Sequence, residues 1–175
     1  MLTIGDRFPK YHARACFGND KSDLRDISNE YHAGKWAVYV FYPKDFTLLC
    51  PTELIEFAKK ARDFDARDTL LLAGSTDNEY CHLAWRQANP DLKILSYPLV
   101  AASKLAEEVG ILEQTARVCY RATYIVDPHG VVQWVNVCPL SVGRSVVETL
   151  RVLDAIQSDE QCACNWKPGD PHLGM

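Results

Sequence analysis

The run WAVYVFY (Trp36–Tyr42) carries no charged side chain and does not alternate between apolar and polar residues. A strand with one wet face alternates, so this run predicts a strand in a sheet covered on both faces. TLLLAGS (Thr69–Ser75) predicts a second strand of the same kind. Between them, Leu54, Phe57, Ala58, Ala61 and Phe64 recur with the period of one helix face. Two buried strands joined through a helix constrain the chain to a layered α/β arrangement with a parallel portion.

The remaining pattern extends that arrangement. A helix is expected from Glu79 to about Ala88, stopping before Pro90. SYPLV (Ser96–Val100) predicts a short strand, and SKLAEEVG a helix ended by Gly110. RATYIV and VVQWVNV flank Asp127-Pro128-His129-Gly130, whose Asp, Pro and Gly suit a type I turn, so a hairpin is expected. The last helix runs from about Ser145 to Gln157, with Ser145 and Glu148 spaced as a capping box and Val146, Leu150 and Leu153 as its buried stripe. Strand, helix, strand, helix, strand, helix, hairpin, helix predicts a thioredoxin-like α/β domain. Residues 1–157 form that domain in this reading, and residues 158–175, poor in apolar side chains, form a C-terminal arm.

A chain of 175 residues is enough for one domain that buries about 70% of its unfolded surface. Its net charge of −4 and lack of a basic stripe argue against nucleic acid. No apolar run is long enough to cross a membrane, and MLTIGDRFPK does not read as a secretory signal. A cytoplasmic location is expected. The seven cysteines, at 16, 50, 81, 119, 138, 162 and 164, are odd in number and irregular in spacing, unlike a secreted disulfide scaffold. No C-x₂-C pair supports a zinc site, the nearest approach being Cys162-Ala163-Cys164. Transient redox chemistry is the better expectation.

Cys50 is the cysteine placed for it. Pro51 suits a first helical turn, which puts Cys50 at the leading end of the helix after the first strand. Unbonded backbone N–H groups and the positive end of the helix dipole favour a thiolate there. The alternative is a small buried hydrophobe, as free cysteines often are. The spacing P-x₃-T-x₂-C weighs against that alternative, because Pro43, Thr47 and Cys50 can bring a shielding ring, a hydroxyl and a thiol around one turn. Ionising a free thiol completely at pH 7 gains only about 30-fold, and enzymes supply a million-fold or more. Most of the rate must therefore come from donors that align a substrate and stabilise charge on its leaving atom.

YPKDFTLLCPTE (Tyr42–Glu53) resembles the active-site segment of 2-Cys peroxiredoxins, in particular the AhpC group of alkyl hydroperoxide reductases. RATYIVDPHGVVQWV and VGRSVVETLRVLDAIQ resemble later segments of that family, and CACNWKPGDP resembles the tail of its mycobacterial-type members. The resemblance implies a thiol peroxidase that reduces hydrogen peroxide and organic hydroperoxides. Cys50 matches the peroxidatic cysteine; Thr47 and Pro43 match the residues that hold the peroxide and shield the sulfenic acid. Arg121 matches the arginine beside the thiolate, with Glu53 and Arg144 fixing its position. Cys162 matches the resolving cysteine, and Cys164 is an extra thiol that can take over by exchange. The resemblance further implies an intersubunit disulfide, a homodimer assembling into a ring of ten or more subunits, and a dithiol reductant, either thioredoxin or an AhpD-type protein. It implies no metal, haem or flavin.

Three departures bear on the site. Leu48-Leu49 stands where Phe-Val is commoner, and no Gly-Gly-Leu-Gly insertion or Tyr-Phe tail helix is present. The latter two mark readily over-oxidised relatives, so resistance to over-oxidation is expected. A peroxide sensor or holdase chaperone using the same thiol is the competing reading. A general disulfide reductase is disfavoured because Pro-Thr-Glu, not a second cysteine, follows Cys50. Cys16, Cys81, Cys119 and Cys138 are expected to be buried or incidental thiols, His82 to pack or face solvent, and Asp45 and Lys44 to steer or solubilise.

Overall fold

The structure is a computed structural model that describes residues 1–174. Seven strands, β1 (His12–Cys16), β2 (Leu24–Ser28), β3 (Trp36–Phe41), β4 (Thr69–Ser75), β5 (Leu99–Ala101), β6 (Arg121–Val126) and β7 (Val132–Cys138), form one sheet in the order β2-β1-β5-β4-β3-β6-β7. β3, β4 and β5 run parallel, and every other neighbouring pair is antiparallel. Helices α1 (Cys50–Lys59), α2 (Ala61–Asp65), α3 (Glu79–Ala88), α4 (Ser103–Val109) and α5 (Val146–Gln157) cover it.

The apolar runs fall where their composition requires. β3 is central, and Ala37 to Phe41 are all buried, because each face of the strand meets a separate core. On one face Val38 and Val40 join Leu54 and Phe57 of α1, Phe64 of α2, Leu83 and Trp85 of α3, and Leu150 and Leu153 of α5. On the other, Tyr39 and Phe41 join Leu105, Ala106 and Val109 of α4. The hairpin forms as expected, with Gly130 N–H bonded to the Asp127 carbonyl (2.9 Å) and Gly130 at φ +78°, a conformation open to glycine.

Four local expectations are corrected. β1 and β2 have no counterpart in the sequence pattern; they lie toward one edge, where Arg14, Arg25 and Asp26 face outward and Ala15, Cys16 and Ile27 face the core, so no apolar run marks them. The apolar stripe from Leu54 to Phe64 is two helices, separated at Lys60 with ψ near 6°. The strand expected at Ser96–Val100 begins at Leu99, after a loop in which Tyr97 is buried. The capping box at α5 is half made: the Ser145 hydroxyl accepts from Glu148 N–H (3.1 Å), but the Glu148 carboxylate turns to Arg151. The chain after α5 folds back, burying Trp166, whose carbonyl accepts from Arg151 Nη1 at 2.9 Å. No helix of the described residues is long and apolar enough to cross a membrane.

Candidate active site

Sheet register decides which residues meet Cys50. Val40 of β3 pairs with Thr123 of antiparallel β6, so Arg121, two residues earlier, stands beyond the carboxyl end of β3. The loop leaving β3 returns there to start α1, with Cys50 as its first residue and Pro51 in its first turn. Cys50 is fully covered. Arg121 Nη1 lies 3.5 Å from Cys50 Sγ and donates to Glu53 Oε2 at 2.7 Å, while its Nε donates to the Leu140 carbonyl at 2.8 Å.

Glu53, one turn along α1 from Cys50, is the hub of the constellation. Its Oε1 accepts from Arg144 N–H (2.9 Å) and Nε (2.8 Å), and its Oε2 accepts from Arg144 Nη2 (2.9 Å) besides Arg121. Arg144 Nη1 reaches the Ala122 carbonyl (2.8 Å) and Thr123 hydroxyl (3.1 Å), tying the loop before α5 to β6. The three side chains are 1–4% exposed. Burial alone would raise the Glu53 carboxyl's pKa, but the hydrogen bonds and charge of Arg144, with the charge of Arg121, hold it below the usual carboxylate range. A carboxylate shared by two guanidinium groups leaves one of them aimed at the sulfur, which is how a cation can be kept in a site this dry.

The other expected residues are placed less closely. Pro43 is buried in the β3–α1 loop. Thr47 is exposed and its hydroxyl donates to the Lys44 carbonyl at 3.0 Å; no hydrogen bond joins it to Cys50. The loop turns sharply here, with Phe46 at φ +54°, in the left-handed region that bulky side chains rarely occupy, and its ring on Trp85. Cys162 is half-buried, its Sγ near the Ser158 hydroxyl (3.7 Å) and the Glu160 carbonyl (3.7 Å), and Cys164 is exposed. All seven cysteines are free thiols.

Cys16 and Cys119 are buried, and Cys81 and Cys138 half-buried. Burial pushes the Cys119 thiol up to about 12, and burial together with the Asp45 and Asp77 carboxylates does the same to Cys81. Neither has the environment of a reactive thiolate.

A second polar cluster escapes the sequence reading. Asp45, expected to steer or solubilise, and His82, expected to pack or face solvent, are buried partners: Asp45 Oδ2 lies 2.7 Å from His82 Nδ1, and Oδ1 accepts from the Tyr42 hydroxyl at 2.8 Å. His82 Nε2 faces the Val100 carbonyl at 3.1 Å, and Asp45 N–H donates to Asp77 (2.9 Å). This cluster fastens the β3–α1 loop to α3 and β5. Nothing in the local sequence marks it, because the pair is 37 residues apart. Among the described residues, no group of three His, Cys, Asp or Glu side chains is placed to hold a metal ion.

A lone covered thiol at a helix start under a carboxylate-braced guanidinium, on a mixed thioredoxin-like sheet, defines the peroxiredoxin class. The solved structure of reduced Plasmodium vivax 2-Cys peroxiredoxin superposes with a TM-score of 0.90 at 31% identity, covering 98% of this chain and 93% of that one. The chain belongs to the AhpC/TSA family, whose model matches residues 4–135. It is 49% identical to alkyl hydroperoxide reductase C of Mycolicibacterium smegmatis over 99% of this chain and 94% of that protein. The structure of Mycobacterium bovis AhpC matches with a TM-score of 0.86 at 44% identity, over 95% of this chain and 99% of that one. The protein is a peroxidase of this family.

Proposed function

We propose that Cys50 is the peroxidatic nucleophile of a two-cysteine cycle acting on hydrogen peroxide and organic hydroperoxides. The observation that carries this reading is Arg121 Nη1 at 3.5 Å from a fully covered Cys50 Sγ, on a guanidinium that Glu53 holds in place. The Cys50 thiolate attacks the nearer peroxide oxygen, the O–O bond breaks, and its electron pair leaves on the far oxygen, which takes a proton to become water or an alcohol. Arg121 stabilises charge on sulfur and on the departing oxygen. Thr47 commits its proton to the Lys44 carbonyl, which leaves its lone pairs to accept a hydrogen bond from the peroxide. Pro43 closes the loop over the thiol.

Cys50 is left as a sulfenic acid. A thiol of the arm, Cys162 first and Cys164 by exchange, attacks it and releases water, forming a disulfide that a dithiol protein such as thioredoxin or an AhpD-type partner reduces. The arm, residues 158–175, comes from the other subunit of a homodimer. β7 supports that pairing: it is an edge strand with half-buried side chains along most of its length. Leu48, 94% exposed beside Phe46, supports further assembly of dimers into a ring.

Stopped-flow tryptophan fluorescence with peroxide tests the reading. Cys50→Ser should abolish the fast phase, and Arg121→Ala should slow it by about 10²–10³. After one equivalent of peroxide, non-reducing electrophoresis should show a covalent dimer that disappears when Cys162 and Cys164 are both changed to Ser. A fast phase that survives Cys50→Ser overturns the assignment.

A further inference from the structure

Cys50 Sγ is sealed off, whereas Cys162 Sγ sits against the Ser158 hydroxyl and the Ala155 carbonyl. A disulfide needs its sulfurs about 2 Å apart, so the proposed cycle requires the start of α1 to come apart. How far it opens depends on what grips the helix further along.

One residue grips it from outside. Tyr97, 4% exposed in the loop before β5, donates its hydroxyl to the Leu54 carbonyl at 2.6 Å. In an α-helix the Leu54 amide closes on the carbonyl four residues earlier, that of Cys50. Leu54 is therefore the residue on which Cys50's own helical bond ends. Burial holds the Tyr97 hydroxyl well above the ordinary phenol pKa, so it stays a donor.

Tyr97 is braced in turn by an unusual arginine. Arg86, 1% exposed, donates Nη2 to the Leu95 carbonyl (2.7 Å), Nη1 to the Tyr97 carbonyl (3.4 Å) and Nε to Asn19 Oδ1 (3.3 Å). It forms no ion pair with any described residue, and its bonds to neutral oxygens shape the loop that presents Tyr97. On the other side of the boundary, Glu53 is fixed by two guanidinium groups.

We propose that Tyr97 is a positioning residue that pins α1 at Leu54, confines its opening to the turn that carries Cys50, and thereby sets how fast oxidised Cys50 reaches its resolving thiol. The inference rests on the two-cysteine cycle proposed above. The Leu54 carbonyl has two lone pairs, and the helical amide of Ala58 remains a partner when Tyr97 is removed. Tyr97→Phe therefore deletes the latch while keeping the ring and leaving no unpaired carbonyl.

The test resolves two kinetic phases in stopped-flow fluorescence and counts sulfinic Cys50 by mass spectrometry after a peroxide titration. In Tyr97→Phe the disulfide-forming phase should accelerate about fivefold, the population shift that one ordinary hydrogen bond supports. The sulfinic fraction per turnover should fall by a similar factor, and the peroxide phase should stay within twofold. A disulfide phase that is unchanged or slower overturns the inference, as does a parallel loss in both phases, the mark of a merely structural contact. If the wild-type protein forms no disulfide at all, it is the two-cysteine cycle that fails, and the latch with it.

Discussion

Changing Glu53 to Gln keeps the shape of the side chain and removes its charge. The carboxylate receives four hydrogen bonds: Arg144 N and Nε on Oε1, and Arg121 Nη1 and Arg144 Nη2 on Oε2. A glutamine has one acceptor oxygen. In either orientation of the amide, two of those donors meet an NH₂ group instead. With the side chain 2% exposed, water cannot stand in, and two guanidinium charges lose their counter-ion. Breaking a buried pair in this way costs about 3–5 kcal/mol. At about 2–4 °C per kcal/mol for a chain of this size, the thermal midpoint should fall by about 6–20 °C, read at matched protein concentration.

The same substitution has a signed effect on pH dependence. Glu53 titrates below the usual range in the folded protein, so between its folded value and the unfolded value near 4.3 the unfolded chain binds more protons. The stability this residue contributes is complete above roughly pH 5 and drains away as pH falls through the folded value. Glu53→Gln should therefore lower the midpoint most at neutral pH and least in acid, flattening the acid limb of the curve. Arg121, released from Glu53, should also slow the peroxide phase. A midpoint within 2 °C of wild type, with an unchanged acid limb and peroxide rate, would refute the idea that this carboxylate organises the site.

His82→Asn should remove a buried hydrogen-bond partner of Asp45 and cost about 1–3 kcal/mol, read as a shift of the denaturation midpoint; a shift below about 0.5 kcal/mol would show that Asp45 does not depend on it. Brief alkylation of the reduced native protein, mapped by peptide mass spectrometry, should modify exposed Cys164 first and leave Cys119 and Cys81 nearly untouched, since both thiols are held up to about 12; equal labelling of Cys119 and Cys164 would contradict the burial.

Much of the site is legible in the linear chain, though by different signals. Cys50 at the start of α1 follows from Pro51 and the helical spacing of Leu54 and Phe57. Arg121, Glu53 and Arg144 are reached through resemblance of segments, since no periodicity links positions 68 and 91 residues apart. Thr47 is expected near the thiol by spacing, and the structure turns its hydroxyl to Lys44. Asp45 and His82 read as unrelated, because a charge in a loop and a histidine on a helix look alike whether exposed or paired. β1 and β2 escape notice because strands near a sheet edge can be half wet and charged.

What the sequence by itself determined is the part written in contiguous burial: the doubly covered strands β3 and β4, the helix that Cys50 begins, the β6–β7 hairpin and the stripe of α5. The tertiary structure decided the geometry in which Arg121 stands over the thiol and one carboxylate holds two arginines, and it alone decided that Tyr97 reaches the carbonyl of Leu54. The reason is physical. Periodic burial is a property of neighbours along the chain, while the partner of a buried charge or hydroxyl is chosen by strand register and helix docking, which bring distant residues within about 3 Å of one another.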